Sequence, residues 1–217
     1  MELERYKIHP IISKIVDWDN LQRITMEKNI KNLEYIAKGH RGVVFKGYLG
    51  NKIVCIKVPR NDSKNTILHE GNILKEVNKY NIGPKLIDYS EKYLIMEYID
   101  GISLKDYLNK WNNVDKNIIK KSILETIKQC IILDKIKIDH TEIQGGKHII
   151  ITKNKEIVII DFDKSRITNK VHNFTSAMSL FFGKNHISNI IYSILSKDDF
   201  KDIMMGISKI YKNTILK

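Results

Sequence analysis

The sequence is poor in the residues that staple, break or span. Among 217 residues there are two cysteines, Cys55 and Cys130, both in apolar surroundings. Two thiols cannot build a disulfide framework, and no Cys-x-x-Cys pair is present to hold a structural zinc, so a reducing, cytoplasmic compartment is expected. Proline occurs only as Pro10, Pro59 and Pro84, and the 133 residues after Pro84 contain none. No apolar run approaches the ~18 residues of a membrane span, so no membrane segment is expected. The first ten residues, MELERYKIHP, mix acids with bases and lack an apolar stretch, so no secretory signal is expected. Arginine is scarce, at Arg5, Arg23, Arg41, Arg60 and Arg166, and no run of five or six like charges occurs.

What is present describes a folded chain. Hydrophobic residues make up 42% and charged residues 29%, outside the disordered range. The length suits one sizeable domain or two small lobes. The net charge is +12, carried mostly by lysines spread along the whole chain. Such a charge suits RNA or ribonucleoprotein contact through phosphates. The spread of the lysines favours a solvated, lysine-rich surface.

Patterning divides the chain. Residues 1–32 read as a helical lead-in, with Ile11, Ile12, Ile15 and Val16 at helical spacing. From Leu33 the sequence LEYIAKGHRGVVFKGYLGNKIVCIKVPR is β-branched, aromatic and punctuated by glycine, which predicts three antiparallel strands with a tight turn at Leu49-Gly50-Asn51. Residues 63–80 carry one apolar helical face through Ile67, Leu68, Ile73, Leu74 and Val77. Two strands are expected at 85–89 and 92–98, then a turn at Asp100-Gly101 and a capped helix start at Ser103-Leu104-Lys105-Asp106. A long amphipathic helix is expected over 115–135, a loop over 137–147, a hairpin of strands 148–152 and 156–160, and helices over 173–216. The expected division is a lead-in (1–32), a strand-rich part with one helix (33–99) and a mainly helical part (100–217).

Several residues stand out chemically. Gly39 and Gly42 lie between two strands, where backbone N–H groups can approach phosphate oxygens without Cβ interference. Lys57 sits inside the apolar strand Val54-Cys55-Ile56-Lys57-Val58, where a cation is costly unless paired, and Glu70 on the next helix is the candidate partner. The strand Leu94-Ile95-Met96-Glu97-Tyr98 ends with a backbone free to contact an adenine edge. Asp161 and Asp163 stand at the exit of the apolar strand 157–160, a position suited to holding Mg²⁺.

In this order the residues resemble the protein-kinase-like fold, over about residues 33–166. Gly39, Gly42 and Val44 resemble the nucleotide loop, Lys57 the strand lysine, Glu70 its helix partner, and Met96-Glu97-Tyr98 the gatekeeper and hinge. Asp161-Phe162-Asp163 resembles the Asp-Phe-Gly metal motif. There are departures. Ala37 takes the first glycine position and Asp163 the last glycine of the metal motif. The segment Ile138-Asp139-His140-Thr141-Glu142-Ile143-Gln144-Gly145-Gly146-Lys147-His148 replaces His-Arg-Asp-x4-Asn, and it fits in two registers. In the preferred one Glu142 is the catalytic carboxylate and Lys147 falls at the metal-ligand asparagine, where it would meet phosphate charge instead. In the other, Asp139 is the base and Gln144 takes the asparagine place. His148 is read as a metal ligand or as a strand-capping residue. With 56 residues after Asp161 and no late proline, an Ala-Pro-Glu segment and a full peptide-docking platform are not expected.

The resemblance implies an α+β, two-lobed fold with an antiparallel-sheet N-lobe, one main helix and a reduced helical C-lobe. It is most similar to small archaeal atypical kinases such as the RIO and KEOPS-complex kinases. It implies ATP with Mg²⁺ or Mn²⁺, and phosphorylation of Ser/Thr in a protein substrate or partner complex. Autophosphorylation is included, with Thr175, Ser176 and Ser179 as candidate acceptors. The competing readings are an ATP-binding switch or ATPase and a small-molecule phosphotransferase.

Overall fold

The computed structural model describes residues 10–110 and 114–215. The chain forms two compact units. One comprises the chain up to Asn78 together with Pro84–Tyr98; the other comprises Lys79–Gly83 and the chain from Ile99 onward.

The first unit is built on a five-stranded antiparallel sheet. Its strands are β1 (Ile30–Lys38), β2 (Gly42–Leu49), β3 (Lys52–Pro59), β4 (Leu86–Tyr89) and β5 (Leu94–Glu97), in the order β1-β2-β3-β5-β4. Leu49 pairs with Lys52 across a two-residue turn, and Gly50 supplies the positive φ of 59° that closes it. The first nine residues of the expected lead-in lie outside the described residues. The remainder forms α1 (Pro10–Ile15) and α2 (Trp18–Glu27). Asp17 caps α2 by accepting from the Asn20 N–H at 3.0 Å. After α2, Asn29 takes the left-handed conformation that ends helices, so β1 starts at Ile30, three residues before the expected Leu33. The lead-in shares the sheet's core: Ile12, Ile15, Val16, Leu21 and Ile24 pack with Val43, Phe45, Val54, Ile56 and Ile95. Helix α3 (Ile67–Asn78) starts later than expected, because Asn65 accepts from the Ile67 N–H and leaves 63–66 as loop.

The second unit centres on α5 (Lys116–Lys135), which buries Ile119, Ile123, Ile127, Cys130 and Leu133. It also contains β6 (Gly101–Ser103), α4 (Leu104–Asn109), β7 (Ile138–Asp139), β8 (Ile149–Thr152), β9 (Ile157–Ile159) and β10 (Arg166–Ile167). Helices α6 (Asn173–Phe182), α7 (His186–Ile194) and α8 (Lys197–Ile215) complete it. Gly101, expected in a turn, instead opens β6, which pairs with β8 and extends the β8–β9 hairpin into a three-stranded sheet. The expected loop 137–147 holds β7, paired with β10, and a single 3-10 turn at Ile143–Gly145. Asp134, in the last turn of α5, accepts from the backbone N–H groups of Asn173 and Phe174 and so caps α6. No helix of the described residues is long and apolar enough to cross a membrane. Both cysteines are buried.

Candidate functional site

In the first unit, Lys57 on β3 and Glu70 on α3 form an ion pair of 2.8 Å with 6% and 2% of their surfaces exposed. Removing two charges from water is costly, so such a pair is kept only where attraction between close partners offsets the loss. Residues 39–41 link β1 to β2. The Gly39 N–H donates to the Gly42 carbonyl at 2.8 Å, and a Cβ on Gly42 would sit 3.1 Å from the Lys57 side chain. Val44 is the cross-strand partner of Lys57. Arg60 has no counterpart among the sequence-derived candidates. Its Nη1 donates to the carbonyls of Gly39 and His40, each at 3.0 Å, while Nε and Nη2 grip Asp62 at 2.8 and 2.7 Å. Met96 and Glu97 close β5, opposite Cys55 and Val54. The Glu97 N–H donates to the Lys85 carbonyl, and the Tyr98 ring lies under Lys46 Nζ at 5.3 Å.

In the second unit, Glu142, His148 and Asp161 offer ligand atoms that all lie within 4.8 Å of one another. The segment carrying Glu142 is held from below. The Asn173 side chain donates to Asp134 and to the Ile138 carbonyl, and its oxygen accepts from the His140 N–H at 2.8 Å. His140 is fully buried. The Glu142 N–H points at its Nδ1, so the ring proton sits on Nε2, which donates to the Ile160 carbonyl at 3.0 Å. One neutral imidazole thus ties Glu142 to the residue before Asp161. Burial lowers the His140 pKa to about 4, against smaller opposing effects of the Ile160 hydrogen bond and nearby carboxylates. Phe162 packs edge-on against this ring at 4.9 Å.

Thr141 and Asp161 both hold positive φ, 71° and 66°. That region is sparsely populated by residues other than glycine, and its cost persists only where the surroundings impose it. Glu142 Oε1 pairs with Lys164 at 2.9 Å and lies 3.9 Å from Lys147. Burial pushes Glu142 up, but the Lys164 hydrogen bond and the positive potential around it prevail and leave it below the ordinary carboxylate range. His148 is pushed down by burial, partly offset by Asp161.

The two catalytic-loop registers are placed differently. Asp139, 3% exposed, is turned away to Arg166 at 3.2 Å and to the His172 N–H at 3.3 Å, and Gln144 is exposed. Glu142 is the carboxylate brought beside Asp161, with Lys147 at the exposed edge. Asp163 is buried. Lys164, like Arg60, is missing from the sequence-derived set, and its only signal is a cation three residues past Asp161.

The buried His148 imidazole and the Asp161 carboxylate, with Glu142 beside them, are a donor set that fits a divalent cation.

A family model described as protein tyrosine and serine/threonine kinase matches residues 30–181. An uncharacterized protein of Methanocaldococcus jannaschii is 43% identical over 96 residues, which is 44% of this chain and 79% of that protein. The dual specificity protein kinase zakA of Dictyostelium discoideum is 28% identical over 154 residues, 64% of this chain and 19% of zakA. The serine/threonine-protein kinase dst1 of the same organism is 28% identical over 158 residues, 69% of this chain and 21% of dst1. The chain therefore spans about a fifth of the length of these two kinases.

Proposed function

The chain belongs to the protein tyrosine and serine/threonine kinase family, and from that premise we propose that it transfers the γ-phosphate of ATP to serine or threonine of a protein, itself included. The observation that carries this reading is the buried Lys57–Glu70 pair, 2.8 Å apart. A cation fixed in this way can hold nucleotide phosphates without spending conformational entropy when they arrive. Gly39 and Gly42 admit the phosphates, and Met96, Glu97 and Tyr98 receive the adenine edge. Asp161 would hold Mg²⁺ or Mn²⁺, which would supply positive charge to neutralise the negative charge that develops on phosphate during transfer. Glu142, ionised at neutral pH, accepts a hydrogen bond from the acceptor hydroxyl and orients it for in-line attack. Lys147 and Lys164, beside Glu142, meet phosphate charge.

The departures support an atypical, minimal member, of the kind found among small archaeal kinases. His140-Thr141-Glu142 replaces the usual loop, and the segment from Asp161 to the start of α6 at Asn173 is short. One observation favours a second reading, an ATP-binding switch or ATPase acting on a partner complex: the Glu142 carboxylate is engaged by Lys164. The protein substrate, a cytoplasmic setting and any RNA contact through the basic surface belong to the same proposal.

Incubation with γ-labelled ATP and Mg²⁺ or Mn²⁺, alone and with a generic protein substrate, tests these readings. Label on protein, abolished by Asp161→Ala and by Glu142→Gln, is the expected result. Free phosphate without labelled protein favours the switch. Transfer that survives Glu142→Gln but not Asp139→Asn, with both variants folded, overturns the assignment of Glu142.

A further inference from the structure

His148 follows Lys147, the residue that occupies the place of a metal-ligand asparagine and, while charged, cannot bind a cation. His148 is 8% exposed. Its Nδ1 lies 3.6 Å from Asp161 Oδ2 and its Nε2 lies 3.6 Å from Glu142 Oε2. Buried Nε2 makes no hydrogen bond. These separations exceed the hydrogen-bond range. They approach the spacing of neighbouring ligands around a cation with bonds of about 2.1 Å, roughly 3.0 to 3.5 Å.

The ring is flanked by carboxylate oxygens on both sides. A neutral imidazole carries one N–H, so its other nitrogen turns a lone pair toward a carboxylate oxygen. A divalent cation on that nitrogen converts repulsion into coordination. The remaining N–H can then face the second carboxylate, as metal-bound histidines commonly arrange.

We propose that His148 is a nitrogen ligand, through Nδ1, of a divalent cation that it shares with Asp161, with Nε2–H turned to Glu142. The site then takes a first-row transition ion such as Mn²⁺ in preference to Mg²⁺. Imidazole nitrogen suits the transition ions, whereas Mg²⁺ keeps to oxygen ligands and water. Glu142 stays off the metal, which leaves its carboxylate for the acceptor hydroxyl. This inference rests on the kinase reading for the role of the cation, but its test does not depend on phosphotransfer.

The experiment is pulsed EPR on the full chain loaded with Mn²⁺ alone, together with Mn²⁺ and Mg²⁺ titrations by calorimetry. The expected result is nitrogen-14 modulation from a coordinated imidazole, and Mn²⁺ binding at least about tenfold tighter than Mg²⁺. In His148→Asn the modulation disappears and the Mn²⁺ preference collapses, while the thermal midpoint stays close to the parent. Mn²⁺ bound without nitrogen modulation, or equal affinities for the two ions in the parent chain, overturns the proposal even if His148→Asn fails to fold. A nitrogen signal from a chain that transfers no phosphate would sink the kinase reading and leave the ligand assignment standing.

Discussion

Lys164 Nζ sits 2.9 Å from Glu142 Oε1, so the charge three residues past Asp161 reaches back across 22 residues to hold the proposed acceptor-orienting carboxylate. This ion pair helps to keep Glu142 ionised below the ordinary carboxylate range. Lys164→Ala is expected to lower kcat about tenfold by loosening the carboxylate. It also removes a stabiliser of the charged form, so the acid limb of the kcat/KM profile moves to higher pH. Lys164→Arg restores both. An acid limb that stays in place in Lys164→Ala shows that the contact does not tune Glu142.

The Lys57–Glu70 pair makes a prediction about stability as well as binding. Removing one member takes from the other buried charge its partner at 2.8 Å, so Lys57→Met and Glu70→Leu each cost about 3–5 kcal/mol. The double variant regains most of that loss, because an apolar pair can replace a buried ion pair. It does not regain ATP binding. Urea unfolding and nucleotide titration on all three variants check this, and a fully stable Lys57→Met would contradict the burial described.

Arg60 braces the loop carrying Gly39 and His40 through two carbonyls at 3.0 Å. Arg60→Ala frees those carbonyls, and the KM for ATP is expected to rise about threefold to tenfold with kcat little changed. Amide exchange across residues 39–42 quickens in parallel. Arg60→Lys does not rescue, because an ammonium cannot span two carbonyls and a bidentate carboxylate. Unchanged exchange rates in Arg60→Ala would remove Arg60 from the account.

His140 is predicted to make folding pH-dependent. Its folded pKa, about 4, lies below the ordinary value of 6.5. The unfolded chain therefore binds the extra proton between those values. Stability is fully present above about pH 6.5 and falls as pH drops toward 4, by up to about 3 kcal/mol. The slope of the unfolding midpoint over that window should flatten in His140→Gln; a variant with the parent's slope would assign the dependence elsewhere.

Much of the architecture was legible because it is written in local patterns. Alternation and glycine punctuation predict the three strands of the β1–β3 meander, and Lys57 is conspicuous as a cation in an apolar strand. The capping residue Ser103 marks a helix start that the structure adopts. Local patterns fail where a distant partner decides. Gly101 reads as a turn but pairs with Thr152 in β6–β8. Arg60 and Lys164 are ordinary cations in sequence, and the Gly39 and His40 carbonyls and the Glu142 carboxylate that they reach lie 20 to 22 residues away.

The sequence by itself determined the α+β division and the candidate residues of both units, since hydrophobic period and residue chemistry are local properties. It preferred Glu142 to Asp139 but left both registers open. The tertiary structure gives the two carboxylates different surroundings. The pairing of β7 with β10 turns Asp139 toward Arg166, while the buried His140 ring draws Glu142 toward Asp161. The physical reason is that a carboxylate's role depends on which charges and donors surround it. Arg166 and His172 beside Asp139, and Lys164 beside Glu142, lie 22 or more residues away, beyond the reach of any local pattern.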